Sequence, residues 1–398
     1  MKTQFKIGTQ LFHKEPNMNY TLNRIYAING GDLDEIREAA KKIQTIEDWI
    51  QEFMQLAKKA LSEKRTLQAA AYFRAVNFYL TIQHPEKLTT YEKYASMMRD
   101  LNKDYFTNGI IKEKRVLFAG GYLPVWHIEP ANKNAAKNIV VMHLGFDSIK
   151  EELIPIINFF READLELYLF EGPGQGEALY KYNLPMMHEY EKPVKAVLDH
   201  FKLSDVTLIG LSLGGYLAPR AAIFEDRVSR VIIWGVLYDF FDTVLSRRGK
   251  LFEYFLKTLL VLRASFVLNT ITKLKMRRDT FAKWGVEHGM GVYDAKSPYE
   301  YFKKIKMYSM KKISHLVKQD FLLLASTEDH FIPKKHVYRQ IEKLTNVRSL
   351  TARIFTKHEN AENHVSFGNV PLVMEYMINW IKEHTTDSIK SETNNSQK

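Results

Sequence analysis

Apolar positions in the first part of the chain recur with the period of a helix. Between residues 32 and 104 they fall every three or four positions, as in the series Trp49, Phe53 and Leu56, which places them on one helix face. Strand-like alternation is absent from this stretch of the sequence. The pattern predicts an all-helical unit, which we assign to residues 1–110 as an N-terminal cap or lid.

After residue 110, short apolar runs alternate with helical stretches. RVLFAG and YLPVWHIEP flank Gly120-Gly121 and predict an antiparallel pair of strands. The runs NIVVMH, LELYLF, VTLIGL and VSRVIIWG follow. The predicted helices between them cover residues 150–162, 189–201 and a stretch from 214. Such alternation is typical of a mostly parallel sheet with helices on both faces, so we predict the α/β class and assign residues 111–239 to the first part of its core.

The alternation stops between residues 240 and 310. Aromatic and basic sequence such as KLFEYFLKTLLVLRASFVLN predicts a helical insertion there that contributes to the cap. Strands return with FLLLAS and SLTARIF, and a last helix is predicted over 372–384, so residues 311–385 form the second part of the core. The polar residues 386–398 predict a disordered tail. We expect segments 32–104 and 240–310 to pack together over the carboxyl edge of the sheet and enclose a largely apolar pocket.

Composition and charge narrow the class of protein. The hydrophobic fraction of 45% and the charged fraction of 26% are those of a globular chain. The stretch 251–271 is apolar but contains Glu253, Lys257 and Arg263, which disfavour a membrane span. With no signal-peptide pattern and no cysteine, we predict a cytoplasmic protein without disulfides. The net charge of +11 comes from scattered side chains, so we predict neither nucleic acid nor membrane as a partner.

Ser212 lies in the sequence Gly210-Leu-Ser-Leu-Gly214, between a predicted buried strand and a predicted helix. Small residues on both sides of the serine allow a sharp strand-to-helix turn that exposes its hydroxyl group. This is the context of a nucleophile elbow, and we predict Ser212 as the nucleophile. The backbone N–H of Leu213 would then be one donor to an oxyanion.

A second oxyanion donor is expected in the loop after the strand NIVVMH. That strand runs into Leu144-Gly145-Phe146-Asp147, and a glycine permits close approach of the backbone to a substrate. Because a loop at this place in the fold supplies an N–H group to the oxyanion, we predict Phe146 or Gly145 as the donor.

The base and the acid should follow the serine in the order acid, then histidine. His364 lies between the strand SLTARIF and the last helix and is the predicted base, while His358 is the competitor nearer the strand end. The strand FLLLAS leads into Thr327-Glu328-Asp329-His330. The Asp-x-x-Ile-Pro spacing favours Asp329 as the acid over Glu328, and Asp239 after an earlier strand is a more remote alternative.

Two further motifs resemble binding sites. Gly172-Pro-Gly-Gln-Gly176 follows a strand, but Glu177 occupies the place of the third glycine of a dinucleotide fingerprint, so we interpret it as a tight turn. His358-Glu-Asn-Ala-Glu362 resembles a zinc protease motif, with Glu362 where the second histidine ligand belongs. We therefore predict no metal and no other cofactor.

Several motifs together resemble one α/β-hydrolase group, which includes 2,6-dihydroxypseudooxynicotine hydrolase and fungal polyketide-shortening hydrolases. They are LGFDSIKEEL, FEGPGQGEAL, GLSLGGYLAPRAA, TEDHFIP and AENHVSFGN, within a resemblance that covers most of residues 20–385. The resemblance implies a helical cap over the triad and hydrolysis of an ester or of a carbon–carbon bond beside a ketone. The chain departs from the group's frequent FDGPGQG at Glu171 and from its frequent HGG or GGxDS at 143–148.

The predicted function is therefore that of a serine hydrolase acting on a small carbonyl substrate. Acyl transfer or peptide cleavage by the same triad is the alternative among enzymes, and a non-catalytic binding protein on this fold is the alternative of another class. The expected partner is a small molecule, with a homodimer as an open alternative to the monomer.

Overall fold

A mixed sheet lies at the centre of the protein, which we describe from a computed structural model covering residues 5–132, 138–245 and 249–395. Its strands are β1 (Ile111–Phe118), β2 (Gly121–Ile128), β3 (Asn138–His143), β4 (Leu165–Phe170), β5 (Val206–Leu211), β6 (Val228–Trp234), β7 (Asp320–Ser326) and β8 (Ser349–Phe355). Within the described residues they form one sheet in the order β1-β2-β4-β3-β5-β6-β7-β8. β2 is antiparallel to β1 and β4, and the remaining neighbours are parallel, which confirms the predicted arrangement.

Both faces of the central strands are buried. Along β6, Ile232 and Trp234 pack into one hydrophobic core, whereas Val231 and Ile233 pack into the other. Successive side chains of a strand point to opposite faces, so a continuous apolar run supplies both cores. The first core includes side chains of α7 (Ile157–Glu162) and α17 (Val370–Asn395), and the second includes side chains of α9 (Glu191–Phe201) and α10 (Gly214–Phe224). Helices on both faces confirm the predicted α/β class.

Helices precede the sheet, and a second group of helices interrupts it between β6 and β7. The first group is α1 (Pro16–Ala27), α2 (Leu33–Lys42), α3 (Ile46–Ser62), α4 (Thr66–Tyr79), α5 (Glu86–Leu101) and α6 (Lys103–Thr107). The second group is α11 (Phe240–Leu245), α12 (Lys250–Val261), α13 (Ser265–Met276), α14 (Thr280–Val292) and α15 (Pro298–Ile305). The division of the chain into cap and core at residues 110, 240 and 310 stays our proposal for the domains.

The two helical groups are in direct contact. The ring of Trp284 on α14 stacks on Phe78 of α4 at 5.8 Å between centroids, and it meets Tyr79 edge to face at 5.1 Å. Phe281 adds an edge contact to Tyr79 at 6.4 Å. The apolar faces of α4 and α14 therefore cover each other, as expected for segments 32–104 and 240–310.

Further short elements follow or precede the sheet strands along the chain. They are α8 (Gly176–Tyr180), α16 (Lys335–Lys343) and short 3-10 turns at Ser314–Leu316, Lys357–Glu359 and His364–Asn369. Within the portions of the chain that the structure describes, no helix combines the length and apolar character needed to cross a bilayer.

Two predicted helices differ from the observed ones. The helix expected at 150–162 is a 3-10 segment, Lys150–Ile156, followed by α7, because Pro155 has no N–H group for an α-helical bond. The last helix continues to Asn395, past its predicted end at 384. Its backbone thus enters the predicted tail 386–398, of which residues 396–398 lie outside the described residues, and disorder of the tail stays a prediction.

A buried ion cluster joins the N-terminal helices to the core. Glu152, 5% exposed, contacts Arg24 of α1 at 2.5 Å and Arg74 of α4 at 3.0 Å. Arg74 also donates to the carbonyl oxygen of Asp147 at 2.6 Å. Burial alone would raise the pKa of the Glu152 carboxyl, but the two arginines outweigh burial and lower that pKa to about 2. The cluster therefore fixes two helices to the loop that follows β3.

Glu152→Gln is expected to lower the free energy of unfolding by about 3 kcal/mol, because two buried arginines lose the carboxylate that they share and Arg24 keeps only a 3.5 Å contact with Asp147. Denaturant unfolding at neutral pH measures this loss. The folded-state pKa of Glu152 is depressed, so its stabilising contribution is present above the ordinary value of 4.5 and is lost as pH falls toward about 2. The difference between wild type and variant should therefore shrink in acid. Glu342→Gln, which breaks an exposed pair with Lys343, should leave the transition in place, and an equally small effect at Glu152 would contradict the prediction.

Candidate active site

Ser212 occupies a strained turn between β5 and α10. Its φ angle of +58° lies in the left-handed region that non-glycine residues rarely adopt. A Cβ atom at Gly210 would lie 2.2 Å from the carbonyl oxygen of Gly214, so the turn closes only with glycine at 210. The structure thus forms the strand, turn and helix that the sequence predicts around this serine, with its side chain half-buried at the floor of a cavity.

The three predicted residues Ser212, His364 and Asp329 are joined by hydrogen bonds. The Ser212 Oγ lies 2.8 Å from Nε2 of His364, and Nδ1 of the same ring lies 2.8 Å from Oδ2 of Asp329. The other carboxylate oxygen of Asp329 accepts from the N–H groups of Phe331 at 2.8 Å and Ile332 at 2.9 Å. Burial disfavours the ionised carboxylate, but His364 and these N–H groups outweigh it and lower the pKa of Asp329. An ionised Asp329 can hold the imidazole in one tautomer.

The competing residues lie elsewhere. Glu328 and His358 are exposed. Asp239 is buried and accepts from Ser309 at 2.9 Å while pairing with Lys311 at 2.6 Å. The structure therefore brings none of the three alternatives into the Ser212 hydrogen-bond chain. Within the described part of the chain, no group of three or more metal-ligating side chains is assembled.

A strained turn also presents His364. Val365 and Ser366 have φ angles of +51° and +49°, which is unfavourable above all for the β-branched valine. The indole Nε1 of Trp234, at the end of β6, donates to the carbonyl oxygen of Val365 at 2.6 Å, and the hydroxyl groups of Ser366 and Ser326 lie 2.8 Å apart. Two neighbouring strands thus hold the turn by side-chain bonds.

The loop after β3 approaches Ser212 closely at Gly145. A Cβ atom on Gly145 would lie 2.8 Å from both Leu211 O and Ser212 Cβ, and 3.4 Å from the nitrogen of Leu213. Among the backbone hydrogen bonds of the described residues, none is donated by the N–H groups of Gly145, Phe146 or Leu213. Backbone N–H groups without a protein acceptor, in the Ser212 turn and in the loop that meets it at Gly145, are the kind of donor that an oxyanion requires. Phe146, Gly145 and Leu213 stay our predicted oxyanion residues.

Gly145→Ala is expected to lower kcat for an ester about a hundredfold, which is the cost of losing one oxyanion donor. The added methyl group has no room against the Ser212 turn, so the loop must move away and carry the Phe146 N–H with it. Steady-state kinetics give kcat, and thermal unfolding checks that the variant remains folded. An unchanged kcat in the folded variant would show that the close approach at Gly145 is not required.

A cavity of about 380 Å³ lies over Ser212. Its lining is mostly apolar and comes from both helical groups, including Phe78 and Tyr79 of α4 and Phe281 and Trp284 of α14. Opening of the cavity by motion of these helices stays a prediction.

Tyr20 of α1 also lines the cavity, although the helical pattern predicted from the sequence begins only at residue 32. Its ring lies 5.9 Å from that of His364 and 4.8 Å from that of Phe367. A proline at the first turn, followed by Met18, Leu22 and Ile25 at helical spacing, is the signal that predicts such a helix.

Comparison with known proteins gives relatives over most of the chain, although no sequence-family model matches it. Hydrolase LUC6 of Fusarium sp is 25% identical over 382 residues, covering 85% of this chain and 88% of the relative. Hydrolase acrC of Aspergillus aculeatus is 28% identical over 313 residues, covering 71% of each. The crystal structure of 2,6-dihydroxy-pseudo-oxynicotine hydrolase matches with a TM-score of 0.59 and 18% identity, covering 91% of this chain and 95% of that one.

These similarities confirm the resemblance found in the motifs. The chain has the α/β-hydrolase fold with an N-terminal helical region. It is similar in sequence to fungal proteins that are named hydrolases, which supports hydrolase activity.

Proposed function

We propose that this chain is a serine hydrolase that cleaves a small carbonyl substrate, either an ester or a carbon–carbon bond beside a ketone. The observation that supports the proposal most directly is the continuous hydrogen-bond chain from Ser212 Oγ through His364 to Asp329, with both bonds at 2.8 Å. Ser212 and His364, at one end of this hydrogen-bond chain, line a mostly apolar cavity. Nucleophile, base and orienting acid within hydrogen-bond reach are the requirements for nucleophilic acyl chemistry.

The reaction begins when Ser212 Oγ attacks the substrate carbonyl carbon and its proton passes to Nε2 of His364. The carbonyl oxygen becomes an oxyanion that accepts from the N–H groups of Leu213 and Phe146. Collapse of the tetrahedral intermediate breaks the bond to the leaving group, which takes the proton from His364. Water, activated by the same imidazole, then hydrolyses the acyl-serine. Asp329 stabilises the imidazolium and remains ionised throughout.

The cavity limits which carbonyl compounds fit. Aromatic walls from Phe78, Phe281 and Trp284 favour a neutral aryl or acyl group and keep water away from the oxyanion, which strengthens its hydrogen bonds. The leaving group of an ester is an alkoxide, whereas that of a β-diketone is a carbanion stabilised as an enolate. The same three residues serve both reactions, so the leaving group has to be identified by experiment.

Fluorophosphonate labelling of the intact protein tests the proposal. Covalent labelling on Ser212, located by peptide mass spectrometry and lost in Ser212→Ala, is the expected result. Absence of labelling together with absence of turnover would favour a binding protein on this fold. Product analysis with aryl esters, β-diketones and peptides then separates ester cleavage, carbon–carbon cleavage and peptide cleavage, and added alcohols reveal acyl transfer.

A further inference from the structure

Gln175, in the turn after β4, has its side chain against the loop that carries Gly145 and Phe146. It is 1% exposed. Its Nε2 lies 2.6 Å from the carbonyl oxygen of Leu144 and 3.2 Å from that of Gly145. Its Oε1 lies 2.9 Å from the backbone nitrogen of Gly172 in the same turn. The side chain therefore links the turn to the loop beside Ser212.

The orientation of the Gln175 amide follows from its partners. The backbone N–H of Gly172 can only donate, so the atom that faces it must be the oxygen. The NH₂ group consequently faces the two carbonyl oxygens and supplies one hydrogen to each. Leu144 O has a second donor, Nδ1 of His143 at 3.2 Å. Among the hydrogen bonds of the described residues, Gly145 O accepts only from Gln175.

The bond to Gly145 O has a consequence for the next residue. The peptide between Gly145 and Phe146 is planar and trans, so its C=O and N–H groups point in opposite directions. A donor that holds the carbonyl oxygen on one side turns the N–H to the other. We infer that Gln175 is a positioning residue that directs the Phe146 N–H into the cavity beside Ser212 and thereby forms one half of the oxyanion hole. This inference rests on the proposed function.

The local packing supports a fixed rather than an adjustable loop. The Leu144 carbonyl is held from two sides, and burial lowers the pKa of His143 to about 4, so its imidazole stays a neutral donor at working pH. The turn that carries Gln175 is held by the buried carboxylate of Glu171, which accepts from the N–H groups of Lys150 and Glu177, both at 2.9 Å. Gln175 thus transmits the position of a rigid turn to a loop that has no strand partner of its own.

Two substitutions test the inference. Gln175→Met keeps the length of the side chain without hydrogen bonds or charge, and Gln175→Glu keeps the acceptor for Gly172 but loses the donors. For each we expect kcat on an aryl ester to fall tenfold to a hundredfold, up to about the cost of one oxyanion donor, with KM unchanged. The affinity for an aryl trifluoromethyl ketone, to which Ser212 adds to form a tetrahedral oxyanion, should fall by the same factor as kcat/KM.

Gln340→Glu is the matched control, because Gln340 is also a 1% exposed glutamine and its partner is Ser314 of the core. It should keep kcat and the ketone affinity. A fall in kcat for Gln175→Glu alone would assign the effect to charge and overturn the inference, as would an unchanged kcat or a rise confined to KM in a folded Gln175→Met. In these cases the wild type still labels at Ser212, so the proposed function stands. Absence of both labelling and turnover in the wild type would overturn the two together.

Discussion

Ser212→Ala is expected to lower kcat for an ester by roughly a millionfold, which is the scale on which loss of a nucleophile acts in serine hydrolases. His364→Ala should lower kcat by a similar factor, and the double variant should be no slower than either single one. The two groups act in one step, since the proton that leaves Ser212 Oγ is taken by Nε2 of His364 at 2.8 Å. Removing either partner therefore removes the whole contribution.

Single-turnover kinetics with a chromogenic aryl ester measure these effects, and thermal unfolding shows whether the variants fold. We expect little change in stability for Ser212→Ala, because its half-buried hydroxyl group contacts the imidazole rather than the core. His358→Ala is the control, since His358 is exposed on the turn before the site. Multiplicative losses in the double variant, or a larger loss at His358, would contradict the assigned pair.

The strands of the sheet were predictable because their apolar runs are short and bounded. The predicted runs NIVVMH, LELYLF, VTLIGL and SLTARIF coincide with β3, β4, β5 and β8. β4 and β5 are buried along their whole length and β3 over most of it, and a strand buried on both faces is mainly apolar. β8 lies at the edge of the sheet and is mostly half-buried or exposed, so polar residues alternate there with apolar ones. Helix bounds were less accurate, because Pro155 divides a segment whose apolar period continues across it.

The order of the candidate residues along the chain was predictable, but their side-chain contacts were not. Chain order in this fold indicates a serine after one strand, an acid after a later one and a histidine after the next. For Gln175 the sequence predicts only a place in a tight turn. Its contacts with Leu144 and Gly145 span 31 and 30 residues and arise when parallel strands end at the same edge of the sheet. Neither a periodicity nor a short motif in the sequence indicates such a long-range contact.

The choice between two adjacent carboxylates depends on the turn that follows β7. Asp329 has one oxygen held by the N–H groups of Phe331 and Ile332, which fixes the other oxygen on His364. A short aspartate side chain suits this double contact, whereas Glu328 points to solvent and is exposed. The sequence indicates the spacing, and the folded turn decides which carboxylate reaches the imidazole.

Asp329→Asn is accordingly expected to lower kcat about ten-thousand-fold, because an amide can donate to Nδ1 of His364 and stabilise the wrong tautomer. Glu328→Gln changes a neighbouring carboxylate in the same way and should leave kcat near that of the wild type. Single-turnover kinetics on the same ester measure both, and the NMR shifts of the His364 ring protons report the tautomer. Since the pKa of Asp329 is lowered, a fall of activity in weak acid should not reflect its protonation. Equal losses in the two variants would reopen the choice of acid, and a large loss found only for Asp239→Asn would move the acid to the end of β6.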